Sequence, residues 1–227
     1  MKKLKFLGYG NSFSTKTKNT SAYFLYKENF ILFDCGENIF DELRHRRPYN
    51  TSKKIIILLT HFHSDHVGSL GSFVFFLRNE GFNKNDILIF NPETKNLKNL
   101  INLFDISEDC QLLKSLDTIF GDKIYVVKQK HYKKYSYGYA VLLDDMKFFY
   151  SGDTSELSSK ILNNIDNFEY LYVDTALQDQ YGYHMTIAYL KNMICMQNRK
   201  KIVCIHLPDN LTEATIIEAG FNIPQQT

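Results

Sequence analysis

Leu58-Leu59-Thr60-His61-Phe62-His63-Ser64-Asp65-His66-Val67-Gly68 decides how the chain is read. The apolar run from Ile55 to Leu59 predicts a buried strand. It stops at a polar cluster in which three histidines and a carboxylate fall within six positions. A tight loop after a strand can aim such side chains at one point. Neutral imidazole and carboxylate are the ligands that zinc and its borderline neighbours accept. A lone histidine is usually structural, but His, His, Asp and His spaced this way directly after an apolar strand point to an open metal site.

Working outward, Leu4 to Gly8 predicts a short strand, led by Met1 to Lys3, and Ser21 to Tyr26 with Phe30 to Phe33 a hairpin. Glu37 to Arg46 has helical spacing and meets Pro48. Beyond the histidine loop, Val67 to Arg78 predicts a helix, Ile87 to Phe90 a strand and Leu97 to Phe104 an amphipathic helix. Ile124 to Val127 is a strand that runs into His131, and Tyr137 to Leu143 with Met146 to Tyr150 a second hairpin. A helix from Ser155 to Asn163, a strand from Tyr170 to Val173, a helix from Met185 to Met196, a strand from Ile202 to Ile205 and a helix from Leu211 to Ala219 complete the chain. His61, His131, Asp153, Asp174 and His206 each close an apolar run, and chemistry in α/β architectures gathers at strand ends. The order suggests two mixed sheets packed face to face with helices outside.

The pattern His61-x-His63-x-Asp65-His66 resembles the metallo-β-lactamase superfamily. Further stretches are similar to its ribonuclease Z-like branch: Phe6 to Ser12 with Asn19-Thr20-Ser21, Leu32 to Glu37, His131 with Tyr137-Gly138-Tyr139, Tyr150 to Thr154, His184-Met185-Thr186, and Ile202 to His206. The resemblance covers Leu4 to His206 and implies a four-layer αββα sandwich of two mixed sheets. It also implies two divalent metal ions, Zn2+ first, with Mn2+ or Fe2+ as other choices. One would sit on His61, His63 and His131, the other on Asp65, His66 and His206, with Asp153 bridging. Two such cations can share a hydroxide and stabilise charge on a phosphoryl centre. Asp65 would accept the proton of the attacking water. His184 would touch the scissile phosphate or protonate the leaving oxygen, its other reading being a structural histidine. Asp34 and Asp174 have two readings each, as braces that hold a ligand histidine in one tautomer or as turn carboxylates. None of Cys35, Cys110, Cys195 and Cys204 stands at a metal position.

The chain has 227 residues, 44% apolar, and suits one metallo-hydrolase domain over 1–227. Its net charge of +2 demands no nucleic-acid or membrane partner. The scattered cysteines read as mostly buried thiols in a reducing compartment, and no segment approaches a membrane span, so a cytoplasmic protein is expected. Lys128, Lys130, Lys133 and Lys134 flank His131, and Lys16 and Lys18 sit in the first loop. Such a rim would steer an anionic phosphodiester, or be an ordinary solvated face. Tyr132, Tyr135, Tyr137 and Tyr139 interleave with it, as a base-stacking surface or as ordinary strand residues. Only a hairpin joins His131 to Asp153, which leaves no room for the long arm with which ribonuclease Z grips tRNA. Full tRNA is therefore disfavoured, and a small or cyclic nucleotide or a short nucleic acid expected. The alternatives are a lactone, thioester or β-lactam hydrolase of the same fold, and a metal-binding sensor or partner module without turnover. A homodimer is consistent with the sequence.

Overall fold

A computed structural model describes residues 3–132 and 134–225. Met1, Lys2 and the rim's Lys133 lie outside the described residues. The strands fall into two mixed sheets. The first runs β1 (Lys5–Gly8), β2 (Ser21–Tyr26), β3 (Asn29–Phe33), β4 (Lys54–Leu58), β5 (Ile87–Phe90) and β6 (Gln111–Leu112), antiparallel up to β3 and parallel from there. The second runs β11 (Ile202–Ile205), β10 (Tyr170–Asp174), β9 (Met146–Tyr150), β8 (Lys134–Leu143) and β7 (Ile124–His131). Only β8 runs against its neighbours there.

The run Ile55 to Leu58 is buried throughout, yet it sorts by parity, because successive strand side chains face opposite ways. Ile56 and Leu58 join Phe24 and Phe33 in the core between the sheets, against Tyr139, Phe148, Tyr150 and Tyr172. Phe33 stacks on Tyr150 with ring centres 4.7 Å apart. Ile55 and Ile57 instead meet α1 (Ile39–Arg46) and the later α3 (Leu70–Asn79) through Ile39, Leu43, Phe73 and Val74. The outer face of the second sheet carries Val173, Ile202 and Cys204 under Ile161, Leu190 and Ile216. The layers are therefore helix, sheet, sheet, helix: the metallo-β-lactamase αββα sandwich. Each buried aliphatic or aromatic side chain contributes about 1.5–3 kcal/mol on leaving water, which is what clamps the two sheets together.

Most expected elements stand within a residue or two of their reading. The stretch after the histidine loop is two helices, α2 (Ser64–Val67) and α3, because the chain leaves helical geometry at Ser69, whose N–H donates to the Cys35 carbonyl at 3.2 Å. The expected helix from Ser155 to Asn163 shrinks to Ser159–Leu162, since Thr154 and Ser155 are tied instead to the Lys130 carbonyl. Two-residue β6 gave no readable pattern. Among the described residues no helix is long and apolar enough to cross a membrane.

Candidate metal centre

In each sheet the strands that carry polar ends point the same way. Asp34 follows β3, Thr60 to His66 follow β4, His131 ends β7, Asp153 follows β9, Asp174 ends β10 and His206 follows β11. Two sheets packed face to face therefore bring six loop starts to one edge. Three of these turns hold residues other than glycine in the left-handed region, Asp34 at φ +59°, Tyr132 at φ +47° and His206 at φ +58°. Such backbone costs on the order of 1–3 kcal/mol each and persists only where its surroundings over-determine it. The Asn19-Thr20-Ser21 stretch does so for Asp34 and His206. The Ser21 hydroxyl donates to the Asp34 carbonyl at 2.9 Å, and the His206 N–H donates to Thr20 Oγ1 at 3.0 Å. Glycine is required at 152, where φ is +60° and a Cβ would meet Thr60 and Ser136 at 2.8 Å.

The side chains converge in three groups that share one carboxylate, Asp153. His61, His63, His131 and Asp153 form the first, and Asp65, His66, Asp153 and His206 the second, with ligand atoms in each group within 4.8 Å of one another. In the first, His63 Nδ1 lies 3.0 Å from His61 Nε2 and 3.4 Å from His131 Nε2. In the second, Asp65 Oδ2 lies 3.1 Å from His206 Nε2 and 3.3 Å from His66 Nε2. Asp153 spans both, with Oδ1 3.2 Å from His66 Nε2 and Oδ2 3.8 Å from His61 and His131 Nε2.

The outward nitrogens of four histidines are committed elsewhere, which leaves the inward ones as lone pairs. His66 Nδ1 donates to Asp34 Oδ2 at 2.9 Å, and His131 Nδ1 donates to the Tyr183 carbonyl at 3.0 Å. His61 Nδ1 donates to Thr60 Oγ1 at 3.1 Å, whose own proton goes to Asp34 Oδ2 at 2.9 Å. His206 Nδ1 faces Asp174 Oδ1 at 3.5 Å. Lone pairs aimed at one another within 3.4 Å repel unless a cation or proton lies between them. His66 Nε2 and Asp153 Oδ1 are moreover buried without a hydrogen-bond partner, which ordinarily costs on the order of 1–3 kcal/mol per group. The donor set, imidazole with carboxylate, is the one divalent metals take. The residues present fit metal ions, and a histidine braced through its far nitrogen is the usual form of such a ligand.

Charge divides the cluster. Burial, with His66 adding to it, pushes His61 well below its ordinary pKa. Burial also opposes charge on His66 and His206, but Asp153 and Asp65 outweigh it and raise both, His206 to about 10. Asp65 is held far below the carboxylate range by His66 and His206 in spite of its burial. Without a cation, protons are thus drawn to His66 and His206, and a metal must displace them.

His184 belongs to neither of these two groups but to the third, with Asp153, Asp174 and His206, whose ligand atoms also lie within 4.8 Å of one another. Its Nδ1 donates to Asp174 Oδ2 at 2.8 Å, its backbone N–H donates to Asp179 at 2.8 Å, and its ring stacks on His206 at 5.0 Å. Burial favours the neutral ring, but the Asp174 carboxylate prevails and raises the His184 pKa. With Nδ1 committed, Nε2 is the atom left for chemistry. Its side chain is 26% exposed and His63 is exposed too, so the site opens on that side. Thr186, third in the His184-Met185-Thr186 element, caps the next helix by accepting the Tyr189 N–H at 3.1 Å.

Three contributors escaped the sequence reading as supports: Ser12, which donates to Asp65 Oδ2 at 2.7 Å, Thr60, and Tyr183, which acts through its carbonyl. Ser12 and Thr60 lie inside quoted motifs, where a hydroxyl near the ligands was the available signal. Of the rim, Lys128, Lys130 and Lys134 line one groove with Tyr132 and Tyr135. Lys128 Nζ sits 3.2 Å over the Tyr135 ring, and Lys16 Nζ is tied to the Asp209 carbonyl at 2.7 Å. Tyr139 is no stacking surface, being fully buried with its hydroxyl donating to the Leu59 carbonyl.

With this geometry in hand, the family model for the anti-Pycsar protein Apyc1 matches residues 2–223. The chain belongs to that family. It is similar to the anti-Pycsar protein Apyc1 of Bacillus phage BSP38, at 24% identity over 92% of this chain and 90% of the phage protein. Ribonuclease Z of Nanoarchaeum equitans (strain Kin4-M) is 38% identical over 98 residues, which is 42% of this chain. The match spans 29% of that relative's length. The metallo-beta-lactamase fold protein YhfI from Bacillus subtilis superposes with a TM-score of 0.74 at 15% identity, over 97% of this chain and 94% of that one. The family thus has the fold and the ribonuclease Z-like stamp of metal-dependent hydrolases.

Proposed function

We propose that this chain is a dinuclear metal-dependent phosphodiesterase acting on a small or cyclic nucleotide. The observation that carries the reading is the pair of ligand groups joined through Asp153. His61, His63 and His131 would hold one ion and Asp65, His66 and His206 the other, with zinc the first choice for imidazole-rich sites. Such a pair supplies Lewis acidity at a phosphoryl centre and brings the pKa of water toward neutrality. The chain's own residues do the rest. Asp65, oriented by the Ser12 hydroxyl, takes up the proton of the attacking water. His184, fixed by Asp174 through Nδ1, carries its transferable proton on Nε2 and delivers it to the leaving oxygen. The exposed His63 and the partly buried His184 mark the side from which substrate enters.

The short β8–β9 hairpin between His131 and Asp153 favours a small substrate over tRNA. So does the end-to-end match to a family other than ribonuclease Z. The test is turnover of 3′,5′-cyclic nucleotides and of an activated phosphodiester beside a matched thioester and lactone, with metal assayed on the same sample. Cleavage of the phosphodiesters at about two ions per chain is expected. Preference for thioester or lactone would assign the site to a different bond.

A further inference from the structure

The segment 177–184 bears on what the substrate carries besides its phosphate, so this inference rests on the phosphodiesterase reading. The loop leaves after β10 and returns before His184, and its neck is closed by two backbone bonds, Ala176 N–H to the Met185 carbonyl at 2.7 Å and Ile187 N–H to the Ala176 carbonyl at 2.9 Å. Within it, the Asp179 carboxylate accepts the N–H of Tyr181 at 3.1 Å and of His184 at 2.8 Å. Gly182 makes the turn at φ +72°. A loop braced in this way has lost its freedom before anything binds, yet it holds the Tyr181 ring 73% exposed.

That ring is the outer end of a row. Tyr181 stacks on Tyr183 with centres 5.4 Å apart and planes 26° from parallel, and Tyr183 meets the edge of Tyr132 at 4.4 Å. Tyr132 follows His131 directly and takes φ +47°, a conformation that brings its ring round to Tyr183. The row ends at the metal centre: Tyr183 lies 6.4 Å from the His131 ring and 6.5 Å from His184, and its carbonyl holds His131. An aromatic face prefers an offset-stacked planar partner, and every nucleobase offers one.

We propose that Tyr181 and Tyr183 form the stacking platform for the base of a nucleotide whose phosphodiester lies at Asp153, with Tyr132 buttressing Tyr183 from behind. The platform grips any base by its face, so it separates nucleotides from baseless phosphodiesters more than one base from another. It also explains why Tyr183 is held to His131: the base and the phosphate are positioned by one loop.

Tyr181 is the position to change, because its side chain is exposed and its backbone, not its ring, is held by Asp179. The substrates are 3′,5′-cyclic AMP and the 3′,5′-cyclic phosphate of methyl riboside, which lacks the base. Tyr181→Ala is expected to lower kcat/KM for the nucleotide by about 10- to 100-fold, the usual worth of one stacked base, and so to erase its advantage over the baseless substrate. Tyr181→Phe should restore that advantage. An equal fall on both substrates, or none on the nucleotide, overturns the platform. A second readout needs no turnover. The chain contains no tryptophan, so Tyr181→Trp introduces its sole indole. Fluorescence of that metal-loaded variant should be quenched by the slowly hydrolysed phosphorothioate analogue of cyclic AMP and not by the baseless phosphate. Intact phosphodiester hydrolysis with no selective quenching overturns the platform alone. Selective quenching in a protein that cleaves no phosphodiester supports the platform and removes the phosphodiesterase reading instead.

Discussion

Asp34 and Asp174 are both fully buried carboxylates at the ends of strands, one in each sheet, and they do different work. Asp34 is spent on fixed groups: Oδ1 accepts the Thr60 N–H at 2.8 Å, and Oδ2 accepts the Thr60 hydroxyl and His66 Nδ1. The groups that donate to its carboxylate at these distances belong to the loop after β4. Asp174 divides its oxygens. Oδ2 takes the Thr154 N–H at 2.9 Å and His184 Nδ1 at 2.8 Å, while Oδ1 faces His206. It thereby links the residue after Asp153, one ligand-group histidine and the half-exposed His184. The first carboxylate sets histidine orientation alone. The second ties His206, of the second ligand group, to His184, the group proposed to meet substrate.

The widest expected gap between the two sides is at His184. His184→Ala should keep its metal and lose about 10²–10⁴-fold in kcat on a substrate with a poor leaving group, the range for a lost general acid. Metal loss in that variant would make His184 a ligand and erase the contrast. Next is Asp34→Asn. An asparagine tolerates φ +59° but cannot accept from Thr60 and His66 as a charged oxygen does, so metal affinity measured against a competing chelator should drop by about 10- to 100-fold. The smallest effect is a displacement on the pH axis. Asp174 raises the His184 pKa in spite of burial. In the proposed mechanism the protonated ring is the acid, so kcat is expected to fall as pH rises through that raised value. Asp174→Asn should move this alkaline limb to lower pH, whereas Asp34→Asn should leave it in place. A limb that moves equally in both variants would mean that the carboxylates act only through general field effects.

The contrast also explains what could be read without a structure. Ligand chemistry admits few residue types, so His61, His63, Asp65 and His66 stand out from neighbouring side chains, and apolar runs ending at His131, Asp153 and His206 gave the rest of the groups their places. Asp34 and Asp174 were visible as strand ends but not separable, since what each braces depends on which loops the two sheets bring together. Tyr183 left no trace because it serves His131 with a backbone carbonyl, which every residue has. Ser12 acts on Asp65 from a loop far away in sequence, and Asp179 acts on backbone N–H groups of its own loop, which carry no residue-type signal. The helix expected from Ser155 failed because tertiary hydrogen bonds to Lys130 claimed its first turn. Tyr139 looked like its exposed neighbours on β8, and only the packing of the second sheet on the first buries it.

The central claim is that one carboxylate joins two metal sites. It is tested most directly by titrating the metal-free protein with Zn2+ in a calorimeter, for the natural chain and for Asp153→Ala, with residual activity followed in parallel. Two ions per chain in the natural protein, turnover that appears only as the second site fills, and loss of that occupancy and of nearly all turnover in Asp153→Ala are expected. A single ion per chain, or two ions that bind Asp153→Ala as tightly as before, would contradict it.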